Sequence, residues 1–125
     1  MTRNSKINKP SVYQTGVNGE IQAADFLKEK GMVLLQKRYH SPYGEIDLVM
    51  QDGDVIVFVE VKTRLNANSL SALFSITPRK QKRLIQTAYH YLSTHEIDAN
   101  ARMDVVTITT EGIKHWANAF DTSNL

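Results

Sequence analysis

Four charged side chains, Glu45, Asp47, Glu60 and Lys62, are spaced to do chemistry together. They stand in the stretch from Gly44 to Arg64, GEIDLVMQDGDVIVFVEVKTR, where two apolar, β-branched runs flank Gln51-Asp52-Gly53-Asp54. An Asp-Gly step between such runs signals a β-hairpin. With Asp52 and Gly53 as the loop, Glu45 lies opposite Glu60, Asp47 opposite Phe58, and Val49 opposite Ile56. Side chains alternate along a strand, so the three acids and Lys62 emerge on one face. The other face carries Ile46, Leu48, Met50, Val55, Val57, Val59 and Val61, and belongs in a core. Like charges set closely across a sheet destabilise it and raise one another's pKa. A divalent cation removes that cost, and Lys62 removes part of it. Oxygen-only ligands suit a hard ion, Mg²⁺ rather than Zn²⁺. The alternative is the solvated face of an edge hairpin. Val49, Ile56 and Phe58 share the polar face, however, and require apolar cover at its turn end.

The elements that must position these residues are legible on either side. Residues 1–13 are polar and basic, without periodicity, and read as a flexible tail; residues 14–125 read as one domain. From about Thr15 to Lys30, Val17, Ile21, Ala24 and Leu27 recur at helical spacing, and Gly31 ends the run. Glu20 shares that stripe. It is either a first-turn acid favoured by the helix dipole or a carboxylate aimed at the acidic face. Met32 to Tyr39 reads as a short strand, and Leu65 to Ile76 as a mobile connection with room for a short turn of helix. Thr77-Pro78 starts a helix running to about Ser93, with Leu84, Ile85, Ala88 and Leu92 inward, Gln81 on the same stripe, and Tyr89 and Tyr91 flanking. Arg79, Lys80, Lys82 and Arg83 crowd its first turns, where cations oppose the macrodipole and an arriving phosphate would offset the cost. Ala101 to Thr110 and Ile113 to Phe120 read as the last strands. Trp116 and Phe120 read as packing residues, and Asp104 as the partner of a neighbouring cation. His40, His90, His95 and His115 show no ligand spacing.

A chain of 125 residues with 42% hydrophobic and 22% charged content suits one ordinary domain. It has no cysteine, which excludes disulfides and thiolate metal sites and fits a cytoplasmic protein. No apolar run reaches membrane-spanning length, so no membrane partner is expected. A net charge of +2 is too small to identify a nucleic-acid partner by itself.

The order αβββαβ with Glu20, Asp47 and Glu60-Val61-Lys62 resembles the PD-(D/E)XK, or restriction-endonuclease-like, nuclease superfamily. The closer resemblance is to the YraN-like family of uncharacterised bacterial proteins, similar to archaeal Holliday-junction resolvases. It is carried by Gly19-Glu20 with Ala23 and Phe26-Leu27, by Gly44-Glu45-Ile46-Asp47-Leu48 and by Phe58-Val59-Glu60-Val61-Lys62-Thr63-Arg64. Lys80-Gln81, Asp104-Val105-Val106 and Asn118-Ala119-Phe120 extend it over nearly the whole chain from Gly16. The resemblance implies an α/β fold, a mixed and mainly antiparallel sheet flanked by two helices. It implies a Mg²⁺-dependent DNA endonuclease, with Mn²⁺ as substitute, acting on branched or junction DNA as a homodimer. Asp47 and Glu60 would ligate the metal with the Val61 carbonyl, Glu20 would complete the acidic site, and Lys62 would activate water and offset phosphoryl charge. Gln81 would support the site. Arg64, Arg79, Lys80, Lys82 and Arg83, with Lys37 and Arg38, would hold the phosphate backbone. The chain departs from the family pattern at Arg38, usually Asn, at Met103, usually Phe, and in lacking a glycine between Leu65 and Ile76. The rival readings are a DNA-binding module that keeps the fold without cleaving, and a partner-binding adaptor using Tyr89, Tyr91 and Trp116.

Overall fold

The computed structural model describes residues 12–122, with side chains from Gly16 onward. The basic N-terminal segment lies outside the described residues, except that Val12 and Tyr13 already belong to the first helix. The elements are α1 (Val12–Glu29), β1 (Val33–Ser41), β2 (Gly44–Asp52), β3 (Val55–Arg64), α2 (Ser69–Phe74), α3 (Pro78–Thr94), β4 (Ala101–Thr109) and β5 (Gly112–Trp116). Five strands form one sheet in the order β1-β2-β3-β4-β5, antiparallel at every step but β3–β4, which is parallel. A parallel neighbour needs a crossover, and α2 and α3 supply it. This is the expected restriction-endonuclease-like order with β5 added at the far edge.

The sheet is buried on both faces. Ala23, Ala24 and Leu27 of α1 pack with Leu48, Met50, Val57, Val59 and Val106. On the other face Leu84, Ile85, Ala88 and Tyr91 of α3 pack with Val49, Ile56, Phe58, Met103 and Val105. The apolar cover demanded by Val49, Ile56 and Phe58 is therefore α3. Two glycines shape α1. Gly31 takes φ 97°, which lets the Met32 amide donate to Leu27 O and the Gly31 amide to Lys28 O, a helix stop that also buries Met32 beside Leu27. Gly19 is buried where α1 crosses β3, and a Cβ there would stand 2.4 Å from Thr63 Oγ1. Only a residue without a side chain allows that approach, and it sets the next residue, Glu20, beside the strands.

The structure corrects several local expectations. Val49 faces Phe58 and Asp52 faces Val55, so the hairpin loop is Gly53-Asp54 rather than Asp52-Gly53. Gly53 takes φ 59°, and a loop with glycine in its first position suits the twist of the paired strands. Shifting the register by two leaves each side chain on its face, because the strand period is two. Ile46 nevertheless packs with Tyr39 in the α3 core and not with Leu48. Arg38, across the ladder at this point, has φ 52°, and β1 is irregular between Leu34 and Gln36. Ile21 is exposed, its expected inward place taken by Ala23. The 65–76 connection contains α2, capped by Asn68, whose side chain accepts from the Ser71 amide. Thr77 caps α3 as expected, accepting from the Lys80 amide at 3.1 Å. The last strand ends at Trp116, short of Phe120.

Candidate active site

The acids gather where β2 and β3 leave their paired region. The paired register ends at Leu48 and Val59, and the next residues outward are Asp47 and Glu60. The Val61 amide, freed from the ladder, donates to Asp47 Oδ2 at 2.8 Å. Glu60 is only 5% exposed, and its Oε2 lies 3.7 Å from Lys80 Nζ on the first turn of α3. Burial pushes the Asp47 carboxyl up to about 8, and the Glu60 charge beside it pushes the same way, against the Val61 amide. The two carboxyls are close enough to hydrogen-bond to one another. Lys62, half-buried two residues on, has its pKa lowered by burial and by the Arg64 and Lys80 charges, with Glu60 and Asp47 opposing.

Glu20 reaches this end of the sheet from α1, and its Oε1 accepts from Arg38 Nε at 2.9 Å. Burial raises its pKa, the Arg38 hydrogen bond lowers it, and the Asp47 charge raises it again. Arg38 thus holds an acid of the site as well as being a basic residue of β1. Its backbone is left-handed, a conformation that Asn adopts more readily than Arg.

The expected site residues therefore divide. Asp47, Glu60, Lys62 and Lys80 come together, and Glu20 lies within reach of the Asp47 charge while bonded to Arg38. Among the described residues no three His, Cys, Asp or Glu groups are placed to hold one ion, so Glu20 does not complete a three-acid cluster. The Gln81 amide donates to Ile76 O at 3.0 Å, tying α3 to the preceding loop rather than touching an acid. Arg64 is exposed and donates to Thr63 O, and Arg79, Lys82 and Arg83 are exposed on α3. Lys82 borders an open groove of about 860 Å³ with Tyr43, Tyr89 and His90, which contains none of the acids. Tyr91 is 5% exposed, packed edge-on against Tyr39 and Phe58, and the Trp116 indole donates to Thr107 Oγ1 at 3.0 Å. That removes Tyr91 from any docking surface; of the three aromatics, only Tyr89 is largely exposed.

One network had no clear signal beyond a lone aspartate. Asp104, fully buried, accepts from Arg102 Nε at 3.0 Å, His115 Nε2 at 2.7 Å and the Asn118 amide at 2.9 Å. Arg102 Nη2 continues to Asp52 Oδ2 at 3.1 Å, fastening the hairpin turn to β4. Lys30 Nζ lies 2.9 Å from His115 Nδ1, and since an ammonium only donates, the ring proton sits on Nε2.

Residues 19–108 match the family described as Uncharacterised protein family UPF0102, a span that runs from Gly19 in α1 through β4 and includes every residue of the acidic site. The chain belongs to this family. It is 44% identical over 112 residues to a UPF0102 protein of Nitrosomonas eutropha, covering 89% of this chain and 97% of that protein. It is 46% identical over 116 residues to a UPF0102 protein of Nitrosomonas europaea, covering 90% and 98%. A UPF0102 protein of Herminiimonas arsenicoxydans is 41% identical over 106 residues, 85% of this chain and 86% of its own. The UPF0102 match ends before β5, so Asp104 lies inside it and His115 outside. No described helix of this UPF0102 member is long and apolar enough to cross a membrane.

Proposed function

We propose that this UPF0102 protein is a metal-dependent endonuclease that hydrolyses DNA phosphodiester bonds, with Asp47 and Glu60 as its centre. The observation that carries the reading is a withdrawn pair of carboxylates with too few donors. Burial and Glu60 together push Asp47 up to about 8, a frustration that a divalent cation relieves. The donor set fits Mg²⁺, which takes one or two carboxylates and completes its shell with water and substrate phosphate. Asp47, Glu60 and the Val61 carbonyl would hold it; Glu20 stays on Arg38, one step removed. When bound, the ion would supply Lewis-acid polarisation of a phosphoryl oxygen and a more acidic attacking water.

The remaining roles fall to the chain's own groups. The Val61 amide fixes the rotamer of Asp47. Lys62 Nζ, with its proton affinity lowered, exchanges a proton with water at the reacting phosphorus or stands as a cation against the charge that develops there. Lys80 holds Glu60 before substrate arrives. Arg64, Arg79, Lys82 and Arg83 contact backbone phosphates, which gives affinity without sequence readout. With no base-reading helix evident among the described residues, selectivity is for DNA structure, branched or junction DNA being the favoured class. The resemblance to the resolvases favours a homodimer as the working form, and the absence of cysteine fits the cytoplasm.

The test is cleavage of linear, flapped and four-way DNA with Mg²⁺ or Mn²⁺, beside Lys62→Ala. Metal-dependent nicking by wild type and at least a hundredfold loss in the variant is the expected result, within the usual contribution of a proton-transfer group. Binding without cleavage under every metal condition would instead establish the non-cleaving module.

A further inference from the structure

The stretch from Val61 to His95 contains no aspartate or glutamate and six cations: Lys62, Arg64, Arg79, Lys80, Lys82 and Arg83. The other nine basic and thirteen acidic residues leave the rest of the chain at −4. In the middle of this acid-free stretch sits α2, between Lys62 and Lys80, the two cations that stand by the acid pair.

A six-residue helix has little stability of its own. This one is fastened along one side. Ser69 N and Oγ both donate to Glu111 Oε1, at 2.9 and 2.6 Å, and Thr110 Oγ1 donates to Ala67 O at 3.2 Å. Ser69 and Ala72 are buried by this attachment. The opposite side presents Leu70 at 52% exposure and Phe74 at 75%, with Leu65 at 63% just before the helix. Single exposed apolar residues are ordinary; three within ten residues, on and beside a helix pinned from behind, form a presented surface.

We propose that α2 is a platform for unpaired or unstacked nucleotides, with a base stacking on Phe74 and the neighbouring cations holding the flanking phosphates. The proposal rests on the nuclease reading and names its substrate class. Charge decides the occupant: apolar side chains flanked along the chain by six cations and no acid, with Glu111 engaged by Ser69 behind the helix, fit a polyanion that also offers flat apolar faces. In an intact duplex those faces are covered by their neighbours. Phe74 reaches one without the cost of unstacking a duplex step at a single strand, flap, gap or junction, where stacking on an aromatic side chain supplies affinity without sequence preference. A platform on the segment that joins Lys62 to Lys80 would bind DNA through an unpaired base and account for selection by structure.

The test is fluorescence-anisotropy binding without divalent metal, using an intact duplex, a single strand and a four-way junction of related sequence. Phe74 is too exposed to support the core, so Phe74→Ala and Phe74→Trp should both fold, and their melting temperatures check that directly. Wild type should prefer the single strand and junction. Phe74→Ala should bind those two roughly tenfold more weakly and the duplex unchanged, while Phe74→Trp keeps wild-type affinity, in line with base stacking on an aromatic side chain. If wild type binds DNA and Phe74→Ala matches it on all three, or weakens equally on all three, the platform is refuted and the nuclease reading stands. If wild type binds no DNA, or an acidic polypeptide competes as well as the single strand, both fall.

Discussion

Two aspartates show how differently one fold treats a buried acid. Asp104 has no exposed surface and is surrounded by donors. Burial raises its pKa, but the hydrogen bonds from His115, Arg102 and the Asn118 amide outweigh that and hold it below the usual carboxylate range. Asp47 has one amide and a second carboxylate. A fold able to satisfy the first has left the second short of positive charge, which is the physical basis for placing a cation there. The contrast makes a pH prediction. A depressed folded pKa means that the Asp104 contribution is complete above the unfolded value of about 3.9 and disappears as pH falls through the folded value. Asp104→Asn should therefore cost about 3 kcal/mol at pH 7, the usual cost of removing one partner from a buried ion pair. That deficit should shrink towards zero in acid. Denaturant melts of both proteins from pH 7 down to about pH 2, below the ordinary carboxylate range, check it, and a deficit unchanged even there would mean that shape, not charge, matters at this position.

At the scale of elements, the close approach of α1 to β3 at Gly19 controls where Glu20 stands. Gly19→Ala places a methyl group against Thr63 Oγ1, and overpacking of this kind costs about 1–3 kcal/mol. Thr63→Ala makes room, so the double variant should recover most of the stability. A double-mutant cycle by urea unfolding measures the coupling, and additive effects would show that this approach does not hold α1. The elements themselves were largely legible in the sequence. Two-residue alternation marked β2 and β3, the Thr77-Pro78 pair marked α3, and Gly31 marked the end of α1. Less legible were features set by partners distant in sequence. The hairpin register depended on which loop position glycine took, and Ile46 changed face where β1 turns left-handed at Arg38. Tyr91 entered the core because Tyr39 and Phe58 surround it. The candidate site was legible as Asp47, Glu60 and Lys62 because strand alternation alone puts them together. The Glu20–Arg38 and Lys80–Glu60 pairs were not, since each joins elements that only the folded sheet brings near.

For the whole molecule, the proposed metal centre is separate from the basic surface proposed to hold DNA. Arg79 and Lys82 are exposed, and neither touches the acid pair. Replacing both by Gln should weaken binding to every DNA sequence alike and reduce the salt dependence of affinity by about 0.9 in log–log slope for each duplex phosphate that is no longer neutralised. An unchanged slope in salt-titrated anisotropy would mean that DNA follows another path. The metal centre itself is open to a more direct measurement, which does not depend on finding the substrate. A ligand that binds only the folded state raises stability by RT ln(1 + L/Kd) at free concentration L, a gain that keeps growing with the logarithm of its concentration above Kd. Adding Mg²⁺ or Mn²⁺ to the metal-stripped protein at pH 7.5 should raise its melting temperature steadily with the logarithm of metal concentration, and Asp47→Asn should melt at the same temperature with and without metal. The Arg79/Lys82 variant should retain the full shift. No shift in wild type, or an equal shift in Asp47→Asn, would contradict the claim that Asp47 and Glu60 form a divalent-metal site.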